Sequence, residues 1–98
     1  MNSLTQVLQE YITYTIQKLV DNPEDVCVNI IISTKTIIVH IKVNNDDCGK
    51  VIGRNGRTIE SLKIVALAIK NTNYPQDNKK ISLEIIEDNE SDFTYKNN

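Results

Sequence analysis

The run Val51-Ile52-Gly53-Arg54-Asn55-Gly56-Arg57-Thr58-Ile59 constrains this 98-residue chain more than any other stretch. It sets a G-x-x-G step between two segments that both read as helical, so one helix must stop and another start across it. Glycine lacks a Cβ, which lets a second backbone approach the main chain closely. A helix opening at Gly56 would present unpaired N–H groups that favour anions, and Arg54 and Arg57 add positive charge to the same turn. These properties suit contact with a phosphodiester backbone.

The flanking periodicities give the frame for that turn. Leu4, Val7, Leu8, Tyr11, Ile12, Thr15, Ile16, Leu19 and Val20 recur at three- and four-residue steps, the stripe of an amphipathic helix. Ser3 with Gln6 fits a capping box at its start, and Asp21-Asn22-Pro23 is expected to end it. Val26, Val28, Ile30 and Ile32 alternate as a strand with one face buried; after a Thr34-Lys35 turn, Ile37, Val39, Ile41 and Val43 repeat the pattern. The two runs predict an antiparallel hairpin closed by Asn44-Asn45. Asp46 and Asp47 are expected to cap a short helix that runs through Lys50 and Val51 to the glycine turn.

Past Gly56, Ile59, Leu62, Ala66 and Ile69 form one stripe, which Ile64, Leu67 and Ala68 widen; Tyr74-Pro75 should end the helix. Ile81, Leu83 and Ile85, alternating with Ser82, Glu84 and Ile86, read as a last strand. The order is helix, strand, strand, helix, helix, strand, an α+β arrangement. A right-handed crossover would set the last strand parallel to the middle one, giving a three-stranded mixed sheet with helices on one face and the other face open. Residues 1–88 are expected to form this one domain, and residues 89–98 an acidic, disordered tail.

Composition narrows the function classes. The chain is 40% hydrophobic, enough for one core, and its longest apolar run, Ile64 to Ile69, falls far short of the roughly 20 residues of a membrane helix. The start of the chain lacks a basic region followed by an apolar one, so a cytoplasmic location is expected. Cys27 and Cys48 stand far apart with one histidine in the chain, which predicts reduced core or boundary cysteines and neither a zinc site nor a disulfide scaffold. His40 is expected to be exposed beside Lys42, without a partner for metal or base chemistry.

The net charge is −2, yet Lys42, Lys50, Arg54, Arg57, Lys63 and Lys70 face only Asp46, Asp47 and Glu60 in the central segment, a local +3. Attraction at a site follows local charge more than the total, so modest affinity for an anionic ligand is expected. Lys63 and Lys70 read as a solvated helix face.

The run Gly49-Lys50-Val51-Ile52-Gly53-Arg54-Asn55-Gly56-Arg57-Thr58 resembles the G-K-V-I-G-[KR]-x-G-R-T run of the small stand-alone bacterial KH proteins called KhpA or YlqC-like. The element order resembles the type II KH fold, so the likeness spans most of the chain. It implies a non-catalytic module that binds single-stranded RNA, as an RNA chaperone or post-transcriptional regulator, without cofactor or metal. Members are linked to cell elongation and division and associate with themselves or with a larger companion of the Jag type, so a homodimer or such a heteromer is implied.

Carried over by position, Gly53, Arg54, Asn55 and Gly56 are the loop, Lys50 precedes it, and Arg57 and Thr58 follow. Val51, Ile52 and Ile59 match the apolar flanks. Such a loop holds about four nucleotides by their backbone. Main-chain N–H groups near Gly53 to Arg57 would meet phosphates, Lys50, Arg54 and Arg57 would supply counter-charge, and Val51, Ile52 and Ile59 would wall the groove. No aromatic residue stands beside the loop, so base stacking is not expected to be the main source of affinity. The chain departs from the family at Cys48, where a larger aliphatic residue is usual, within the loop, where Lys or Gln is common, and in its acidic tail.

Enzymatic alternatives fail on spacing. Ahead of Gly56-Arg57-Thr58 a phosphate-binding loop would need glycine at Val51 and lysine at Arg57, and G-x-G-x-x-G is absent. No Ser-His-Asp set or paired-carboxylate pocket presents itself. The rival class is a protein-interaction module: Ile64, Leu67 and Ala68 exceed one packing face, and Ile31, Ile38 and Ile86 share the sheet's open side. The competing structural explanation is that the first helix covers the extra arc.

Overall fold

In a computed structural model of the chain, residues 3–86 are described, and the tail expected over residues 89–98 lies outside them. Ser3 Oγ accepts the Gln6 N–H at 3.1 Å and starts α1, Leu4–Gln17. Leu4, Leu8, Ile12 and Ile16 recur every fourth residue and form its buried edge. The helix ends before the expected Asp21-Asn22-Pro23 boundary. Lys18 and Leu19 donate to the carbonyls of Thr15 and Ile16 in a tightened last turn, which leaves Leu19 exposed and returns Val20 to the core.

β1, Cys27–Ile32, and β2, Thr36–Lys42, pair antiparallel, with Val28 opposite Ile41 and Ile30 opposite Val39. Ser33 holds the turn by accepting the Thr36 N–H on Oγ and donating its own N–H to the Thr36 carbonyl. β3, Lys80–Ile86, lies parallel to β2, with Ile81 beside Ile37 and Ile85 beside Ile41, and the sheet order is β1-β2-β3. Val28, Ile37, Val39, Ile41, Ile81 and Ile85 are buried with the apolar edges of the helices. Burial in β1 falls away toward the hairpin tip, where Ile31 and Ile32 are exposed.

On the open face His40 is not partnerless: its Nε2 lies 3.3 Å from Oε1 of Glu84, its register partner on β3. Cys27 is exposed on that face, neither core nor boundary, because its strand parity is opposite to that of buried Val28. Cys48 packs half-buried against the core, as expected.

The approach to the glycine turn differs from expectation at Asp47. Asn44 caps the 3-10 turn Asn45–Asp47 by accepting the Asp46 N–H at 2.9 Å. Asp47 caps no helix. Its buried carboxylate instead receives the Asp21 N–H at 3.2 Å, the Asn22 N–H at 3.0 Å and the Asn22 side-chain amide at 3.1 Å. Lys50 Nζ stands 3.9 Å from the same carboxylate and 3.3 Å from that of Asp21. Burial pushes the Asp47 pKa upward, but the Asn22 and Asp21 donors and the Lys50 charge outweigh it and hold the group below the ordinary carboxylate value.

α2 is the single turn and a half Cys48–Ile52, and α3 runs Arg57–Asn73. Leu62, Ala66 and Lys70 share the buried stripe of α3, and Tyr11 Oη donates to the Leu62 carbonyl at 3.4 Å, tying α1 to α3. Lys70 is therefore not solvated: it is 1% exposed, with Nζ on the Asp77 carbonyl and 3.9 Å from the Asp77 carboxylate. The Lys79 N–H and the charges of Lys79 and Lys70 outweigh burial and lower the Asp77 pKa. α1 does not cover the wide arc of α3, since Ile64 is 58% exposed, Val65 44% and Leu67 37%. Among the described residues no helix is long and apolar enough to cross a membrane, and no group of three His, Cys, Asp or Glu is placed to hold a metal ion.

A carboxylate whose folded-state pKa is lowered stabilises fully above its unfolded pKa, and the contribution is lost as pH falls through the folded value. Asp47→Asn should lower Tm at neutral pH, and the gap to the parent should narrow below the ordinary carboxylate range. Thermal melts across a pH series check this; a gap independent of pH contradicts it.

Candidate nucleic-acid interface

α2 stops at Gly53, whose φ of 79° and ψ of 172° fall in a region only glycine occupies freely. A Cβ there would sit 2.2 Å from Thr58 Oγ1 and 2.8 Å from Thr58 N, so Gly53 is needed for the turn to close onto the start of α3. Asn55 follows with φ 57°, the one non-glycine residue at positive φ among those described, and Gly56 takes φ 73°. Nothing lies within 4 Å of a Cβ built on Gly56, so the outer side of the turn is open there.

The two glycines thus play different parts. Gly53 serves an internal approach, and Gly56 leaves room for an external one.

The turn uses several of its own amides. Gly53 N–H bonds to the Gly49 carbonyl at 2.9 Å, Gly56 N–H to the Gly53 carbonyl at 3.1 Å, and Arg57 N–H to the Arg54 carbonyl. These were expected to meet phosphates. The donors left over among the described residues are the Arg54 and Asn55 N–H groups within the turn and those of the first turn of α3 beyond Arg57, where a glycine at the cap position supplies no side-chain acceptor.

Arg54, Asn55 and Arg57 are exposed together, with Thr58 half-buried beneath Gly53. Among the described residues neither arginine has a carboxylate partner, whereas Lys50 pairs with Asp21 and Asp47, Lys63 with Glu60 at 3.7 Å, and Lys70 with Asp77. The uncompensated charge at the turn therefore comes down to Arg54 and Arg57. Of the apolar flanks, Ile52 is exposed and Ile59 half-buried, but Val51 is wholly enclosed in the core. Val51 anchors α2 from beneath and has no surface with which to wall a groove.

A cleft of about 190 Å³ lies between the first turns of α3 and β3 at the sheet edge, lined by Ile59, Glu60, Lys63, Ile81, Ser82 and Leu83. The residues from β3 and Glu60 escaped the sequence reading, because only the parallel crossover brings β3 beside the first turns of α3. A larger hollow of about 560 Å³ between the Thr34-Lys35 turn and residues 74–79 lies at the other end of α3. There Lys70 and Lys79 are both committed to Asp77, which leaves that hollow without their charge.

The chain matches the KhpA/KhpB KH-domain family over residues 9–85. It belongs to that family. It is 37% identical over 81 residues to the RNA-binding protein KhpA of Chlamydia trachomatis, covering 83% of this chain and 99% of the relative. To the RNA-binding protein KhpA of Clostridium perfringens it is 41% identical over 81 residues, covering 81% and 100%. Among solved structures it is similar to Aquifex aeolicus Era bound to GDP and AlF4−, at TM-score 0.67 and 14% identity over 90% of this chain. A second Era structure, in complex with nucleotides 1506–1542 of 16S ribosomal RNA, also superposes at TM-score 0.67 and 14% identity over 89% of this chain. The chain spans 33% of either Era chain, and the likeness concerns the fold: the α+β, type II KH arrangement with its three-stranded mixed sheet.

Gly56→Ala should cost about 1 kcal/mol, the penalty of left-handed backbone for a residue with a Cβ. Gly53→Ala should cost more, because strain of ~1–3 kcal/mol is joined by displacement of Thr58. Chemical denaturation of both variants checks the order, and equal losses would contradict it.

Proposed function

We propose that the chain is a non-catalytic, single-stranded RNA-binding module acting as an RNA chaperone or post-transcriptional regulator in the cytoplasm. The observation that carries this reading is the pair Arg54 and Arg57, without a carboxylate partner among the described residues, set on either side of an open Gly56 at a helix start with no side-chain cap. That arrangement occurs in a chain of the KhpA/KhpB family, whose relatives bear the name RNA-binding protein KhpA.

Arg54, Arg57 and the first-turn N–H groups of α3 take successive phosphates, with Asn55 and Thr58 bordering them. Gly53 shapes this seat. Lys50, held by Asp21 and Asp47, contributes a fixed background charge. Bases then lie along Ile52, Ile59 and the cleft toward β3, about four nucleotides in all.

Self-association, or pairing with a larger Jag-type KH protein, belongs to the same proposal. The exposed Ile64, Val65 and Leu67 of α3 support a protein contact alongside RNA binding.

Single-strand binding loses about 0.7 log units per log unit of salt for each neutralised phosphate, so two or three contacts give a slope between roughly −1.4 and −2.1. A slope near zero with measurable binding contradicts the mechanism. The double variant Arg54→Asp, Asn55→Asp should lose RNA retention and keep its melting transition, because both positions are exposed and aspartate tolerates the left-handed backbone of Asn55. RNA retention equal to the parent's would remove the loop from the mechanism.

A further inference from the structure

The cleft between α3 and β3 holds one charged pair whose function the phosphate seat does not use. Glu60 and Lys63 stand one helical turn apart on α3, their charged groups 3.7 Å from one another and their side chains 59% and 42% exposed. An exposed pair of this spacing contributes little to stability, so both ends remain available to a ligand. Around them the partly exposed Ile59 and Leu83 provide an apolar edge over buried Ile81, against which one side of a flat ring can rest, and Ser82 adds a hydroxyl. The cleft begins within one turn of Arg57, close enough to take a base from a strand seated on the arginines.

The pair orders its chemistry along the cleft: a cation that only donates beside a carboxylate that only accepts, through two oxygens. The Watson–Crick edge of guanine presents the complementary series, the O6 acceptor followed by the N1–H and 2-amino donors. Uracil has an acceptor on either side of its N3–H, so one oxygen would face the carboxylate. Cytosine presents one donor and two acceptors, and adenine one donor beside one acceptor. Guanine alone fills both carboxylate oxygens with donors and returns an acceptor to the lysine.

We propose that the α3–β3 cleft is a guanine subsite in which Glu60 accepts from N1–H and the 2-amino group while Lys63 donates to O6. This rests on the RNA-binding reading above and adds to it a base preference.

Fluorescence anisotropy with a short oligouridine carrying one central guanosine, adenosine, cytidine or inosine tests it. The unmodified chain should favour guanosine by a factor on the order of ten over the other three bases, the discrimination of a good bidentate contact. Inosine, which keeps O6 and N1–H but lacks the 2-amino group, should lose a large part of that gain.

Glu60→Gln should bring the guanosine-to-inosine affinity ratio down toward one, because its amide keeps one acceptor where the carboxylate has two. Glu60→Ala gives the same test without a replacement amide. Arg54→Asp should weaken every oligonucleotide alike.

Equal affinity for all central bases, with binding intact, overturns the subsite alone, as does a guanosine preference that survives both Glu60 variants. No binding of any oligonucleotide by the unmodified chain brings down the RNA reading together with the subsite.

Discussion

The reversal of the chain between Gly53 and Gly56 is the constraint from which the site follows. Three of four consecutive residues there hold positive φ, and Gly53 lies so close to Thr58 that no Cβ fits between them. This contact makes α2 and α3 one rigid corner. The corner consumes the Gly53, Gly56 and Arg57 amides in its own hydrogen bonds, so recognition is left to two arginine side chains, the Arg54 and Asn55 amides and the start of α3. An anion meets a prearranged seat and little backbone ordering remains to oppose binding.

That corner is held to the body of the domain from two sides. Val51 plugs it into the core, and the Asp47 carboxylate ties the segment before it to the chain leaving α1, 26 residues earlier. The same network sets the electrostatics. By pairing Lys50 with Asp21 and Asp47, and Lys63 with Glu60, the fold neutralises much of the basic character of the central segment. What survives is a small positive focus on a chain of net charge −2, which favours local capture of a strand over long-range attraction.

Periodicity made most of the fold legible. The cap at Ser3, the hairpin and the end of α3 before Pro75 rest on local signals that tertiary structure did not override, and the parallel last strand follows from the handedness of the crossover. The glycine turn and its arginines were legible for the same reason. What stayed hidden required a third dimension. Lys70 occupies a buried stripe position, but a lysine there reads as solvent-facing until its partner Asp77 is brought beneath it. Asp47 looks like a helix cap because its true partners are distant in sequence. Val51 and Ile52 look alike in a short helix, although one turns inward and the other outward. Glu60 lines a cleft only because β3 lies beside α3.

The most direct measurement is a titration of isotope-labelled protein with a short single-stranded RNA, followed by amide chemical shifts. If the seat is the corner and the start of α3, the largest changes fall on Arg54 to Glu60, extend to Ser82 and Leu83, and spare the exposed stretch from Ile64 to Ala68. Changes confined to that stretch or to the open face of the sheet, with Arg54 to Glu60 unmoved, would contradict the account.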